Sequence, residues 1–170
     1  MKWFTADTHF FHDNIRTHCK RPFDSVEEMN ESMIKNWNEC VSNGDLVHHL
    51  GDIAWWKSAW KDSIPIVIGR LKGQIYLIQG NHDKQVASQH KNMFVAVKPL
   101  HHIRHDGRAI VLCHYAMRSW LESHHGSWHL YGHSHGLLPG LGKSFDVGVD
   151  CNDFRPVSID EVIERMEEKR

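Results

Sequence analysis

The chain has 170 residues, 41% of them apolar, which at this length fits one domain spanning 1–170 whose core closes without disulfide or metal staples. Twenty Lys and Arg against 21 Asp and Glu leave a formal charge of −1, which excludes a global basic attraction to nucleic acid or anionic lipid. Four scattered cysteines, Cys19, Cys40, Cys113 and Cys151, form no CxxC pair and exclude a zinc-knuckle or disulfide-frame reading.

Lys2 to Ala6 is aromatic and β-rich and predicts a first strand ending at Asp7. Ser25 with Glu28 forms a capping box, and Met29, Met33, Ile34, Trp37 and Val41 follow at helical spacing. Leu46 to Leu50 predicts a second strand running into Gly51-Asp52. Trp60 to Ile68 predicts a helix in which Pro65 marks either a kink or a later start. Further strands are expected at Gln74 to Ile78, Ala109 to Cys113, Trp128 to Tyr131 and Phe145 to Val149. A last helix opens on the Ser158–Glu161 capping box, with Ile159, Val162, Ile163 and Met166 on its apolar face. An early aspartate precludes a signal-peptide core and no 18-residue apolar run exists, so a cytoplasmic protein with no membrane partner is expected.

Sixteen histidines are too many for an ordinary neutral domain, and metal chemistry accounts for them directly. Many fall, with Asp and Asn, just after expected strands: Asp7-Thr8-His9, Gly51-Asp52, Gly80-Asn81-His82-Asp83, Cys113-His114 and Gly132-His133-Ser134-His135. In open α/β sheets ligands gather beyond the carboxyl ends of strands, so donors distant in sequence would converge there.

These blocks, in this order, resemble the calcineurin-like metallophosphoesterases, whose D-x-H, G-D, G-N-H-D, lone-histidine and G-H-x-H motifs they match from Asp7 to His135. Phe145 to Asp150 is similar to the family's closing strand. The resemblance implies a four-layer α/β/β/α sandwich of two mostly mixed sheets, and hydrolysis of a phosphate ester at a dinuclear centre. It assigns Asp7, His9 and His135 to one metal, Asn81, His114 and His133 to the other, Asp52 to the bridge, and His82 to a general acid or transition-state stabiliser. A bridge should be a carboxylate, whose two oxygens can serve two ions about 3.5–4 Å apart. The imidazole and carboxylate donors suit two divalent transition-metal ions, manganese first, with iron, zinc, nickel or cobalt as alternatives.

Around this set the sequence offers substrate candidates. His12 is expected at the pocket rim, and Arg16 and Arg118 are candidate phosphate clamps against the plain alternative of surface arginines. Asp83 could orient His82 or cap the next helix. His48 and His49 lie inside a strand, where at least one should be packed or hydrogen-bonded. His101, His102 and His105 are expected on the surface, and His124, His125 and His129 on a loop where substrate contact is open. Trp55, Trp56 and Trp60 could stack on a base, fill the core or form a homodimer patch. The expected substrate is a small phosphodiester such as a nucleotide or cyclic nucleotide, with a phosphomonoester, a nuclease activity or a non-catalytic metal-dependent scaffold as alternatives. Nucleic acid is disfavoured because no basic track accompanies the site.

Overall fold

Trp3 and Phe4 are neighbours on one short strand and enter opposite cores, because successive side chains of a strand face opposite sides of its sheet. That alternation sets the architecture. The computed structural model describes residues 1–169. Strand β1 (Lys2–Thr5) is followed by helices α1 (Asp13–His18) and α2 (Val26–Cys40), then β2 (Leu46–His49), α3 (Ser63–Arg70), β3 (Gln74–Ile78), α4 (Lys84–Gln89) and β4 (Ala96–Lys98). β1 to β4 are parallel in the order β4-β3-β2-β1. The edge beyond β1 is filled by the antiparallel β9 (Val157–Ser158). A second sheet, ordered β5-β6-β7-β8, joins β5 (Leu100–His105), β6 (Arg108–Cys113), β7 (Trp128–Tyr131) and β8 (Ser144–Asp146). Only β5 runs antiparallel to its neighbour, so both sheets are mixed and the expected α/β sandwich is present.

Two apolar clusters hold it together. Met29, Met33, Trp37, Ile64 and Ile68 from the helices pack on Val47, Ile75 and Leu77 of the first sheet. Phe4 and Ile78 meet Ile110, Leu112 and Leu130 between the sheets, joined by Ile159, Val162 and Met166 of α5 (Ile159–Glu168). At about 25 cal/mol per Å² of apolar surface removed from water, each such side chain stabilises the fold by roughly 1.5–3 kcal/mol.

The helix boundaries follow from capping chemistry. The Ser25 hydroxyl accepts the Glu28 N–H, but the Glu28 carboxylate takes the Asp24 N–H, so α2 lacks the reciprocal half of the expected box. The box at Ser158 and Glu161 is complete. Pro65 marks a later start rather than a kink: it occupies the third position of α3, where its missing N–H would have had no intrahelical partner. Phe145 to Val149 shortens to β8, because Gly148 and Asp146 turn the chain through a bond from Gly148 N–H to Asp146 Oδ1. Among the described residues, no helix is long and apolar enough to cross a membrane.

His48 and His49 are both buried and point opposite ways from β2. His49 Nε2 lies 3.0 Å from the Thr8 hydroxyl, while the His48 ring packs against Phe4, Tyr76 and His101 and leaves its Nδ1 without a partner. Burial, with His101, Lys2 and Lys98 nearby, pushes the His48 imidazole down to about 3 from an ordinary 6.5. Its unfolded form takes a proton below pH 6.5 that the folded form refuses, so stability contributed above that pH is lost as pH falls towards 3. His48→Phe should therefore narrow the stability difference between pH 8 and pH 5 by about 2 kcal/mol, read by urea unfolding at both pH values. An unchanged difference would show that His48 accepts its proton in the fold.

Candidate metal centre

The carboxyl ends of β1, β2 and β3 meet those of β6, β7 and β8 at one edge of the sandwich. A parallel bridge between Ala6 and Gly148 joins the two sheets there, closed by the Val149 N–H on the Ala6 carbonyl. Five side chains at this edge belong to residues in the left-handed region: Asp7 (φ 59°), His9 (φ 50°), Asp52 (φ 57°), His133 (φ 67°) and His135 (φ 48°). Such backbone costs on the order of 1–3 kcal/mol per residue and persists only where the surroundings impose it.

The imposing contacts are visible. The buried Asp83 carboxylate accepts the N–H groups of Gly80 (2.8 Å), Asp52 (2.7 Å) and Ile53 (2.9 Å), so one side chain ties the loops after β2 and β3. Asp52 Oδ1 accepts the His82 N–H at 2.9 Å, and Asp7 Oδ2 accepts the His133 N–H at 2.8 Å. Gly80 is required because a Cβ there would collide with the Asp52 carboxylate, and a Cβ at Gly132 would strike Ala6 and Asp7. On the other flank, the buried Arg21 guanidinium grips both oxygens of Asp150 at 2.8 Å and donates to the carbonyls of Asp7 (2.6 Å) and Thr8 (3.0 Å). Asp146 Oδ2 accepts from Ser134 Oγ and Gly136 N–H, holding the turn that carries His133 and His135.

Two donor groups result. Asp7, His9 and His135 have ligand atoms within 4.8 Å of one another, as do Asp52, His114 and His133. Asp52 Oδ2 stands between them, 3.5 Å from His9 Nε2 and 3.6 Å from His114 Nε2, and Asn81 Oδ1 lies 3.1 Å from His114 Nε2. Asp7 Oδ1 and His9 Nε2 are buried without any hydrogen-bond partner. Burial without a partner costs several kcal/mol for such groups, and a cation at this point supplies the missing partner to both. The residues therefore fit divalent metal.

The electrostatics point the same way. Burial raises Asp7 well above the ordinary carboxylate range, against the pull of His135, and raises Asp52. Burial pushes the His9 imidazole well below its usual value and takes His114 down to about 4. For His135, burial is outweighed by Asp150 and Asp7, which lift it to about 10. This is a cluster of groups held away from their ordinary charges for want of a cation.

A sequence model of calcineurin-like phosphoesterases matches residues 3–98, more than half of the chain. The chain belongs to the calcineurin-like phosphoesterases. A relative in Methanocaldococcus jannaschii, uncharacterized protein MJ1445, is 33% identical over 97% of this chain and 90% of its own length. The gene 66 protein of Mycobacterium phage L5 is 35% identical over 48% of the chain and 39% of its own length. The crystal structure of the protein of unknown function AQ665 from Aquifex aeolicus superposes with a TM-score of 0.79 at 26% identity, covering 97% of this chain and 98% of that one. As a calcineurin-like phosphoesterase, the protein is a metal-dependent enzyme that hydrolyses phosphate esters.

Within this phosphoesterase, the edge just described opens into a cleft of about 490 Å³ that receives His12 and His82 beside the metal donors. His12 stacks on Trp55 with ring centres 4.1 Å apart, and burial with His82 and Arg21 nearby holds its imidazole down at about 4. Arg16 does not reach the cleft, because its guanidinium is bonded to Asp13 on the same helix and to the Phe23 carbonyl. Arg118 lies at a separate hollow with Met117 and Pro139. Asp83 neither touches the His82 ring nor caps α4, since its oxygens are taken by the three backbone N–H groups above. Trp60 stacks on Phe11, and Trp56 packs near His90 and the helix-side core. His101, His102 and His105 fall on edge strand β5, and His101 is half-buried against Tyr76. His129 sits inside β7, with Nδ1 3.0 Å from the Val111 carbonyl and Nε2 accepting the Met117 N–H, and so is structural.

Sequence reasoning missed Arg21, Asp146 and Asp150, which hold the donors in place, and His18, Cys19 and Lys20, which line the cleft. Asp146 and Asp150 carried a signal, since both lie in the stretch matched to the closing strand. Arg21 carried none.

Proposed function

We propose that the centre is dinuclear and that the enzyme hydrolyses a small phosphodiester, a nucleotide or cyclic nucleotide among them. The observation that carries this reading is the Asp52 carboxylate, whose Oδ2 faces His9 Nε2 at 3.5 Å and His114 Nε2 at 3.6 Å. Asp7, His9 and His135 would hold one ion, Asn81, His114 and His133 the other, and Asp52 both. Two divalent ions so held, manganese first, would polarise the phosphoryl oxygens and activate water.

The side chains of the protein do the rest. His82 is tethered by its own N–H to Asp52 Oδ1, which puts its Nε2 3.9 Å from Asp52 Oδ2 with the ring beside the cleft. From there it hydrogen-bonds or protonates the departing oxygen. Asp83 and Arg21 keep the donor loops closed, so little reorganisation is needed as charge develops. A cleft of about 490 Å³ suits a small molecule, and Ile15 and Leu137 on its wall accommodate the apolar part of one. Four free cysteines fit a reducing cytoplasmic setting.

The test is a matrix of activated mono- and diesters and of 2′,3′- and 3′,5′-cyclic nucleotides against Mn, Ni, Zn, Co and Mg. Preferred turnover of diesters with a transition metal is expected. Preference for monoesters would move the assignment to a phosphomonoesterase, and no turnover with any metal to a scaffold. His82→Ala should lower kcat by about 10²–10⁴-fold with metal content retained. Loss of metal at an unchanged residual rate would remove His82 from the chemistry.

A further inference from the structure

The outer nitrogens of three of the histidine donors are held, and one is held in an unusual way. His135 Nδ1 lies 2.7 Å from Asp150 Oδ2, and His114 Nδ1 lies 2.7 Å from the Leu50 carbonyl. Carboxylate and carbonyl are the ordinary partners of a metal-bound imidazole, and they fix which nitrogen carries the proton. His9 has neither. Its Nδ1 lies 3.4 Å from Nδ1 of His12, a second imidazole on the same turn, which is closed by the His12 N–H on the His9 carbonyl at 3.0 Å.

Proton bookkeeping on this pair leaves one arrangement. His9 Nε2 is buried, unpartnered and directed at Asp52 Oδ2, so it is the nitrogen a cation would take, and it must be bare. The proton of His9 then sits on Nδ1 and is donated to His12 Nδ1, which must be bare in turn. His12 consequently carries its proton on Nε2, at the opposite edge of the ring. That ring lines the cleft, lies flat on Trp55 at an interplanar angle of 11°, and stands 6.1 Å from the ring of His82.

We propose that His12 is a two-faced residue: Nδ1 orients His9 for metal, while the Nε2–H hydrogen-bonds a phosphate oxygen of the substrate, with Trp55 fixing the plane of the ring. This rests on the assignment of His9 to metal made above. Asp150 and Leu50 end in the buried frame, whereas His12 ends in the cleft, so metal affinity and phosphate affinity are linked through this one ligand. Phosphate accepting from Nε2–H draws electron density away from that edge and strengthens the opposite Nδ1 contact only while the two protons keep this order.

Two amide replacements separate the two faces. His12→Asn keeps an acceptor near the position of Nδ1 and lacks the Nε2 donor, His12→Gln places a donor near Nε2 and lacks the near acceptor, and His12→Phe keeps the stack on Trp55 and lacks both. Apoprotein is titrated with cobalt(II) by visible absorption, and the loaded protein is then titrated with inorganic phosphate. Expected results are a loss of about 10–100-fold in affinity for one cobalt in His12→Gln and His12→Phe but not in His12→Asn. Phosphate should bind about 10-fold more weakly to His12→Asn and His12→Phe, and near normally to His12→Gln, matching one lost hydrogen bond to a charged group. Equal behaviour of the Asn and Gln variants, or a Phe variant unchanged in both titrations, overturns the proposal while leaving the metal centre intact. Wild-type protein that takes up no cobalt overturns the metal centre itself, and this proposal with it.

Discussion

Asp52→Asn is expected to abolish turnover by at least about 1,000-fold and to lower metal stoichiometry below two per chain, measured by elemental analysis after equilibration with manganese. The amide is nearly isosteric and retains an oxygen that can accept the His82 N–H, now made by Asp52 Oδ1 at 2.9 Å. What it loses is the second anionic oxygen, the one 3.5 Å from His9 Nε2 and 3.6 Å from His114 Nε2. A metal ion contributes several kcal/mol of transition-state charge stabilisation, and about 4 kcal/mol corresponds to a factor of about 1,000 in rate. Because the fold-holding contacts of residue 52 run mainly through its N–H to Asp83, the metal-free variant should unfold close to wild type. Wild-type metal content with wild-type turnover would remove Asp52 from the bridge.

The second large effect lies away from the donors. Arg21→Ala should destabilise the metal-free protein by about 3–5 kcal/mol and weaken metal binding, although Arg21 is expected to touch neither metal nor substrate. Its side chain is fully buried, and its five donors meet both oxygens of Asp150 and the carbonyls of Asp7 and Thr8. Deleting it strands the Asp150 carboxylate in the interior and frees the turn that carries Asp7 and His9. Arg21→Lys should recover only a fraction, since one ammonium cannot reproduce a planar fork. Arg21→Ala with Asp150→Asn should cost less than the two single changes added, because the stranded charge is gone. Urea unfolding and a metal titration of the three variants check this, and a loss below about 1 kcal/mol in Arg21→Ala would refute the clamp.

The contrast between these two residues shows what a sequence can carry. Asp52 was legible because a donor placed after a strand is a local pattern, repeated at Asp7, Asn81, His114 and His133. The strands that bear them were legible for the same reason: Gln74–Ile78 and Trp128–Tyr131 are apolar runs with abrupt polar ends. Arg21 contacts Asp150 across 129 positions, and nothing in its neighbours distinguishes it from a surface arginine. Arg16 shows the converse, since a clamp was expected and a helical i,i+3 pair with Asp13 took the guanidinium first. β5 escaped notice because His101, His102, Arg104 and His105 give it no apolar alternation, which is how an exposed edge strand avoids pairing with strangers. Asp83 was read as a local residue, a cap or an imidazole partner, whereas its oxygens serve two loops 30 positions apart.

The left-handed backbone at Asp7, His9, Asp52, His133 and His135 bears on how such a chain could change over generations. Glycine is the one residue at ease in that conformation, so each of these sites opposes backbone comfort to a donor side chain. A lineage freed from the need for metal would gain stability by drifting to glycine at these five places, and it would do so without altering the strands. The donors therefore stand on the most readily erased positions of the fold, and their joint presence in one chain is the mark of selection for chemistry over stability.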